Sequence, residues 1–272
     1  MQYEPIKRSL GRFFKGPLFM RRILYMLLDI LLLRTWHVKK ALRKISGLIS
    51  SRAVVLDAGS GFGQYTWRMS RMNKNWKIDA IDIDPYHVKD CTEFFKRAGL
   101  SGRVKFYEGD LTSLNTVESY DFILSVDVME HINDDSQVFR NFYNALREDG
   151  LLLISTPSDK GGSDVHSDKD KSFIDEHVRD GYSISEITRK LSVAGFDNIN
   201  VKYTYGQPGN ISWRISMKYP VRMLNISYLF FILLPFYYLI LSPLIIILNI
   251  FDLNLTHESG TGLLVTAVRK KS

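Results

Sequence analysis

Cysteine is nearly absent from this chain of 272 residues, which contains Cys91 and no other. A single cysteine excludes an intrachain disulfide framework and any zinc site that needs several cysteines. We therefore expect a reducing compartment and a fold that is held together by its apolar core. With 45% apolar residues the chain has enough material for such a core, and its composition is not that of a disordered protein.

Charge is missing altogether from residues 224–251. This run exceeds the roughly 20 residues that cross a hydrocarbon core, and it lacks the charged face of a globular surface helix. It contains Pro235 and Pro243, each of which removes a backbone donor and clashes with the preceding turn. The sequence predicts two short helices that meet at a bend, with a buried core hairpin of a soluble fold as the alternative.

Acidic residues are scarce in the first 50 positions, where 11 Lys and Arg face only Glu4 and Asp29. The whole chain has 36 Lys and Arg and 29 Asp and Glu, so the remaining residues carry 25 basic and 27 acidic side chains. Such an uneven distribution favours an anionic membrane surface as the partner of the leader and disfavours nucleic acid.

The basic residues of the leader surround the short apolar stretch 23–33, which Asp29 interrupts and no small-residue cleavage site follows. This pattern is not that of a cleaved signal peptide. It predicts helices that lie in the headgroup region, with an ordinary amphipathic helix covering a sheet as the alternative. The side chains expected at the headgroups are Arg12, Lys15, Arg21, Arg22, Arg34, Lys39, Lys40, Arg43 and Lys44.

Short apolar runs alternate with helical patterns from residue 51 onward, which is typical of a parallel sheet in an α/β domain. The predicted strands are 53–57, 77–82, 104–108, 122–126, 151–155, 198–205 and 261–269. The predicted helices are 64–72, 85–98, 134–146 and 183–194, the last two with Asn133 or Asp134 and Ser183 as caps. Residues 158–171 are predicted to be a loop over a site.

A glycine-rich turn follows the first predicted strand, in the order Asp57, Gly59, Gly61 and Gly63. Glycine is needed where the backbone approaches a ligand closely or adopts positive φ. A dinucleotide fingerprint would place its third glycine at position 64, which is Gln64. Asp82 ends the second strand about 20 residues downstream, where an acidic side chain meets ribose hydroxyls in such folds.

These motifs, followed in order by Gly109-Asp110, the segment 120–132 and the segment 146–150, resemble those of class I S-adenosylmethionine-dependent methyltransferases. The resemblance is to the small-molecule type related to the ubiquinone-pathway O-methyltransferases, and it covers residues 50–205 and the last strand. It implies a Rossmann-like α/β fold with a mostly parallel seven-stranded sheet, in which strand seven runs antiparallel between strands five and six. It also implies that S-adenosyl-L-methionine is held by Asp57, Gly59, Ser60, Gly61, Gly63, Asp82, Ile83, Asp110, Leu111, Ser125 and Val126.

Methyl transfer to a hydroxyl group is helped by a general base, and histidine titrates in the right range. The candidates are His131, which follows strand four, and His166 and His177, which lie on the expected lid. For His131 a structural role is the alternative, and for the other two it is contact with the substrate or the lid. We expect no metal site, although Asp127, Glu130 and His131 could imitate one.

The apolar run falls in the expected hairpin between strands six and seven, so its two ends must leave the same edge of the sheet. A single membrane crossing is therefore excluded. Divided at the prolines, each arm has about 14 residues or about 21 Å, which is short for a hydrocarbon core of about 30 Å. The sequence predicts an in-plane or re-entrant monotopic hairpin beside the cofactor pocket, with Lys218 and Arg222 available for headgroups.

We thus expect three parts: amphipathic helices in residues 1–50, a methyltransferase domain in 51–205 with 260–272, and a membrane-associating insertion in 206–259. The leading hypothesis is a monotopic enzyme on the cytoplasmic face of the cell membrane. It would methylate a hydrophobic or lipid-linked acceptor such as a quinone or phenolic precursor, a lipid or a polyprenyl-linked glycan, with oxygen as the expected atom. The alternatives are an inactive membrane scaffold and a nicotinamide-dependent reductase, while nucleic acid is not an expected partner. The sequence predicts no particular oligomeric state.

Overall fold

The structure is a computed structural model that describes residues 17–161, 178–227 and 229–270. The strands form one sheet in the order β3-β2-β1-β4-β5-β7-β6. They are β1 (Val54–Ala58), β2 (Lys77–Asp82), β3 (Val104–Glu108), β4 (Tyr120–Val126), β5 (Leu146–Pro157), β6 (Asp197–Thr204) and β7 (Gly262–Val268). Each predicted strand is present, and β5 begins five residues before its predicted start.

Strand β7 runs antiparallel to both of its neighbours, with Leu264 beside Ser155 of β5 and Val265 beside Val201 of β6. The pairs β1–β2, β1–β4, β2–β3 and β4–β5 are parallel. The predicted fold class is confirmed. Strand β6 therefore points the same way as β5, and its end at Thr204 lies at the edge where β1, β2 and β4 also end. We call this the carboxyl edge.

Helices cover both faces of the sheet, because the central strands β1, β4 and β5 carry buried side chains on both sides. They are α1 (Leu18–Leu31), α2 (Leu33–Ser46), α3 (Gln64–Met72), α4 (Pro85–Arg97), α5 (Asp135–Ala145), α6 (Ile184–Val193), α7 (Gln207–Trp213), α8 (Tyr219–Ile226) and α9 (Phe230–Asn254). One buried cluster joins one face of the sheet to α5 and α6. A second joins the opposite face to α1, α2, α3 and α4.

Side-chain caps start several of these helices as the sequence predicts. The carboxylate of Asp134 accepts a hydrogen bond from the Gln137 amide at 3.0 Å, and the Ser183 hydroxyl accepts one from the Glu186 amide at 3.0 Å. Asp84 caps α4 and precedes Pro85, whose missing N–H costs nothing at the first helical position. These caps fix the points where the chain leaves the carboxyl edge.

The basic residues of the leader do not all face outward, which corrects one prediction. Arg21 is buried and forms an ion pair with Asp90, and Arg34 forms one with Asp127. These two guanidinium groups hold α1 and α2 against the sheet domain, because a buried charge requires a partner. Arg22, Lys40, Arg43 and Lys44 are exposed, whereas Arg12 and Lys15 lie outside the described residues.

The segment between β6 and β7 is a helical hairpin, as predicted, but its bend is not at the prolines. One arm consists of α7, a π-helical turn at Arg214–Lys218, and α8, and the other is the 25-residue helix α9. Helix α9 runs through Pro235 and Pro243 and measures about 37 Å. The predicted division into two arms of about 14 residues is wrong, because the neighbouring arm packs along α9 and keeps it continuous across the prolines.

The hairpin is apolar on its outside and polar along the seam between its arms. Leu239 and Ile240 of α9 are 74% and 73% exposed, whereas Ser212, Ser216, Asn249 and Asp252 are buried. The Ser212 hydroxyl donates to the Asn249 side-chain oxygen at 2.6 Å. The alternative of a buried core hairpin is wrong, since only 6% of the most apolar part of α9 is buried.

Candidate active site

The glycine-rich turn lies at the carboxyl edge and is tied to β2 by backbone hydrogen bonds. The amides of Gly59 and Ser60 donate to the Ile81 carbonyl at 2.8 Å and 3.0 Å. Gly59 has a φ of 81°, and a Cβ there would lie 2.2 Å from a methyl group of Val128. Only glycine allows the segment after β4 to pack this closely on the turn.

Gly61 differs from Gly59 in its surroundings, although its φ is also positive at 50°. A Cβ at Gly61 would meet nothing within 4 Å among the described residues. The backbone is thus bare on that side, which leaves room for a ligand to approach the amide groups of the turn.

Asp82 links the end of β2 to this turn. Its carboxylate accepts hydrogen bonds from the Gly61 amide at 2.6 Å and from the Asp84 amide at 3.0 Å, and His87 lies 3.5 Å away. Burial would raise the pKa of Asp82, but the hydrogen bonds from His87 and these two amides outweigh it and lower the pKa. Asp82 is therefore an ionised acceptor at the carboxyl edge.

Asp57, the other acidic residue of the motif, lies inside the domain. It is 2% exposed, and its carboxylate accepts a hydrogen bond from the Thr66 hydroxyl of α3 at 2.5 Å. Burial raises the pKa of Asp57 to about 7, and the Thr66 bond opposes the rise. Asp57 thus joins the end of β1 to the first turn of α3 and thereby fixes the glycine turn that lies between them.

Two hydroxyl groups near the turn are buried without a hydrogen-bond partner among the described residues. They belong to Ser60 in the turn and Ser125 in β4, and Ser125 pairs in register with Ala58. Buried polar groups in native proteins are almost always satisfied, so two orphans beside a bare backbone indicate a bound polar group. Together with Asp82 they fit a nucleoside-containing cofactor that carries several polar atoms.

The remaining predicted cofactor residues line the same edge with different exposures. Ile83 is 71% exposed directly after Asp82. Asp110 is exposed and accepts a hydrogen bond from the Thr112 amide at 2.8 Å, whereas the side chain of Leu111 is buried in the core. Val126 is 9% exposed at the end of β4. The structure thus brings the ends of β1, β2, β3 and β4 to one edge, and it places Leu111 with its side chain turned to the core.

The chain after β4 forms a charged mouth that connects the sheet to α2. Asp127 adopts a φ of 52°, which is uncommon for a residue other than glycine, and pairs with Arg34 at the start of α2. The amide of Arg34 also donates to the Tyr205 hydroxyl at 2.8 Å. Helix α2 and the beginning of the hairpin therefore meet at the end of β4.

Glu130 lies beside this mouth and is fully buried. One carboxylate oxygen accepts from the Thr156 hydroxyl at 3.0 Å, and the other has no hydrogen-bond partner among the described residues. Burial is the main cause that raises the pKa of Glu130, and hydrogen bonds together with the nearby His131 and Arg34 partly offset it. Burial thus makes the carboxyl group of Glu130 hold its proton more readily than an exposed glutamate does.

Of the three candidate histidines, the structure describes His131 alone. His131 is half-buried in the 3-10 turn Met129–His131, immediately after β4. His166 and His177 lie outside the described residues. In the part of the chain that the structure describes, no group of three His, Cys, Asp or Glu side chains is placed to hold a metal ion.

Several residues of this site carry no signal in the sequence. Thr66 and Arg34 reach it from segments for which the sequence predicts only helices. The sequence does not distinguish Arg34 from the other basic residues of the leader, because its partner Asp127 lies 93 positions away in the chain. Glu130 and His131 belong to the segment 120–132 of the resemblance, but the sequence does not predict that Glu130 is fully buried.

Comparison with known proteins supports the fold of the sheet domain. A family profile described as a methyltransferase domain matches residues 49–197, which is more than half of the chain. A malonyl-[acyl-carrier protein] O-methyltransferase of Bacillus anthracis is 28% identical over 132 residues, or 48% of each chain. A ubiquinone biosynthesis O-methyltransferase of Rickettsia conorii is 24% identical over 106 residues, or 39% of this chain and 35% of the relative. The chain thus spans about half the length of these relatives or less.

Among solved structures, the chain resembles phosphoethanolamine N-methyltransferase 2 of Haemonchus contortus, solved with phosphomonomethylethanolamine and S-adenosylhomocysteine. The TM-score is 0.62 at 19% identity, and the likeness covers 87% of this chain and 53% of that one. At this identity the likeness concerns the fold alone.

Proposed function

Since this chain belongs to the methyltransferase-domain family, we propose that it is an S-adenosylmethionine-dependent methyltransferase that works at a membrane surface. Its acceptor would be hydrophobic or lipid-linked, and oxygen would be the methylated atom. The observation that carries the membrane part of the proposal is the hairpin with its apolar outside, which leaves the sheet at the carboxyl edge, the same edge that carries the glycine turn.

The proposed cofactor site uses the residues of the carboxyl edge. Asp82 would accept hydrogen bonds from the ribose, the bare turn at Gly61 would receive the methionine part, and Asp110 would meet the adenine. Ser60 and Ser125, whose hydroxyl groups are orphaned, would find their partners in the cofactor. When bound, the cofactor supplies a methyl group that is already activated on a sulfonium.

What remains for the protein is to align an acceptor atom and to exclude water. His131, at the end of β4, is the candidate base that would take the proton from an acceptor hydroxyl. Glu130 and Arg34 would set the charge around it. We retain His166 and His177 as candidates of the predicted lid.

The position of the polar groups in the hairpin supports the proposal that its outside contacts lipid. Beyond the Ser212–Asn249 bond, the hydroxyls of Tyr237 and Tyr238 donate to the carbonyls of Ile215 and Ser216 at 2.7 Å and 2.8 Å. A hairpin in water would turn such groups outward and bury its leucines. Small residues and polar side chains between two helices, with apolar side chains outside, are typical of helix pairs in lipid.

Charge on the other arm favours an in-plane position over two crossings. Arg214, Lys218 and Arg222 recur every four residues along the arm formed by α7, the π-helical turn and α8. Three cations within a spanning segment are costly, whereas beside anionic headgroups each is favourable. We therefore propose a monotopic protein on the cytoplasmic face, in which residues 1–50 and 206–259 contact lipid and 51–205 with 260–272 carry the reaction.

Transfer of a labelled methyl group tests the proposal directly. The full chain is incubated with methyl-labelled S-adenosylmethionine and a membrane lipid extract, and the label is then partitioned between an organic and an aqueous phase. We expect label in the organic phase with the wild type. Asp82→Asn should reduce the label by about 100-fold, because the charge-assisted hydrogen bonds from the Gly61 and Asp84 amides and the ribose contact are weakened.

The matched control is Asp79→Asn, which changes the same residue type in the middle of the same strand, where it faces Tyr120 at 3.3 Å. Label that stays in the aqueous phase would rule out a hydrophobic acceptor. Failure of the wild type to bind the cofactor would rule out the methyltransferase.

A further inference from the structure

Helix α1 contacts the glycine turn through two side chains that converge on one carbonyl group. The Tyr25 hydroxyl donates to the Phe62 carbonyl at 2.5 Å, and the Arg21 guanidinium donates to the same oxygen at 2.7 Å. Phe62 lies between Gly61 and Gly63, both of which adopt positive φ. The Gly63 amide closes the turn by donating to the Ser60 carbonyl at 2.8 Å, while the Phe62 carbonyl between them is held by these two donors from α1.

The two donors are buried and bonded to each other. Arg21 and Tyr25 are 6% and 2% exposed, and the Arg21 Nε donates to the Tyr25 hydroxyl at 2.8 Å. A second nitrogen of Arg21 pairs with Asp90 of α4 at 2.6 Å, and its guanidinium lies 4.6 Å from the centre of the Phe94 ring. Burial raises the pKa of the Tyr25 phenol, which keeps its hydroxyl protonated and able to donate.

The opposite face of α1 is apolar and exposed. Phe19, Ile23, Met26, Leu27 and Ile30 are between 36% and 58% exposed, and α1 contacts the membrane-seeking helix α9. The exposed Arg22, Lys40, Arg43 and Lys44 add positive charge to α1 and α2. An apolar face that continues into α9 and is flanked by cations fits an anionic lipid surface.

We infer that Arg21 and Tyr25 position the glycine turn for the cofactor, and that contact of α1 with the lipid surface therefore strengthens cofactor binding. This inference rests on the proposed function for the identity of the ligand and the surface. The physical reason is that lipid contact holds α1 in place, and α1 holds the Phe62 carbonyl. A site whose shape is fixed before binding loses less entropy when the ligand arrives.

Calorimetric titration of the full chain with S-adenosylhomocysteine tests this, with and without vesicles of phosphatidylcholine and phosphatidylglycerol. Without vesicles, Tyr25→Phe should weaken binding about fivefold and Arg21→Gln more than tenfold, with Arg21→Lys in between. Vesicles should tighten binding by the wild type about fivefold and by Arg21→Gln not at all. Arg71→Gln, which removes an exposed arginine of α3, is the matched control and should behave as the wild type.

The melting temperature separates positioning from stability. Variants that melt earlier but bind the cofactor as the wild type does would overturn the inference, as would a vesicle effect that persists in Arg21→Gln. A wild type that binds the cofactor and floats with vesicles, yet shows no tightening, would overturn the coupling and leave the proposed function intact. A wild type that does not float would overturn the membrane part of both the proposed function and this inference. The affinities measured without vesicles would still decide whether Arg21 and Tyr25 position the turn.

Discussion

The sheet domain and the hairpin solve the burial of their side chains in opposite ways. In the sheet domain, Phe122, Phe139 and Leu152 are fully buried, and the charged groups of the site stand at the carboxyl edge. In the hairpin, the buried groups include Ser212 and Asn249, while Leu239 and Ile240 are exposed. The hydrophobic effect in water accounts for the first arrangement and would oppose the second. The proposed contact of the hairpin with lipid accounts for this difference.

The largest expected effect comes from placing charge on the outside of the hairpin. Leu239→Glu with Ile240→Glu should lower the partition of the protein into anionic vesicles by more than 100-fold. Moving each wild-type side chain from water into lipid contributes about 1.5–3 kcal/mol to membrane binding, and this contribution is lost in the variant. Carboxylates are also repelled by the anionic headgroups. Vesicle flotation measures this, and the melting temperature of the sheet domain should not change.

Val193→Glu is the matched control for that double variant. Val193 is 75% exposed, much like Leu239, but it lies on α6 of the sheet domain. Its replacement should leave flotation unchanged. If both variants float equally, the apolar outside of the hairpin does not contact lipid. The proposed difference between the surroundings of the sheet domain and those of the hairpin would then be wrong.

A smaller effect concerns pH and the buried Asp57 of the sheet domain. Its pKa is about 7 in the folded state against an ordinary value of 3.8, so the folded protein keeps a proton that the unfolded chain has released. The stability due to this carboxyl is fully present below about pH 4 and is lost as the pH rises to about 7. The free energy of unfolding of the wild type should therefore fall relative to Asp57→Asn by about 1.4 kcal/mol per pH unit at most.

Denaturant unfolding at several pH values between 4 and 8 measures this difference. Comparison with Asp57→Asn removes the titration of every other group. In Thr66→Val the stability due to the Asp57 carboxyl should be lost at higher pH than in the wild type, since the variant lacks the hydrogen bond that favours the ionised form of Asp57. A constant difference between wild type and Asp57→Asn across this range would contradict the prediction.

The smallest expected effect is in the seam of the hairpin. Ser212→Ala removes the hydrogen bond to Asn249 and should cost about 1 kcal/mol or less, because polar bonds between helices in lipid are individually weak. In detergent micelles this corresponds to a fall of a few degrees in the melting temperature. Ser119→Ala, whose hydroxyl donates to the Val117 carbonyl in an exposed turn, should change it less. Equal shifts would mean that the seam contributes no more than a surface turn.

The regular part of the fold could be predicted because its signals are local. Strands such as Lys77–Asp82 and the helix Gln64–Met72 have the predicted bounds, since apolar periodicity and caps act over a few residues. The antiparallel place of β7 was available only through resemblance to a family. The course of α9 could not be predicted, because whether a proline bends a helix depends on what packs beside it.

The candidate site divides in the same manner. Asp57, Gly61 and Asp82 stand out in the sequence because they form a motif of fixed spacing, whereas Arg21, Tyr25 and Arg34 do not. Their partners, Phe62 and Asp127, are 37 to 93 positions away along the chain. Basic residues near an apolar stretch suit a membrane surface as well as a buried ion pair, and local sequence does not distinguish the two.

The sequence by itself determined the α/β class, the glycine turn, the acidic strand ends and the existence of an uncharged segment between β6 and β7. These follow from composition, periodicity and spacing, which act through neighbouring residues. Only the tertiary structure decided that α9 is one helix, that its polar groups face the other arm, and that α1 reaches the glycine turn. Those features depend on which surfaces meet in space, because burial and pairing are properties of contacts between distant parts of the chain.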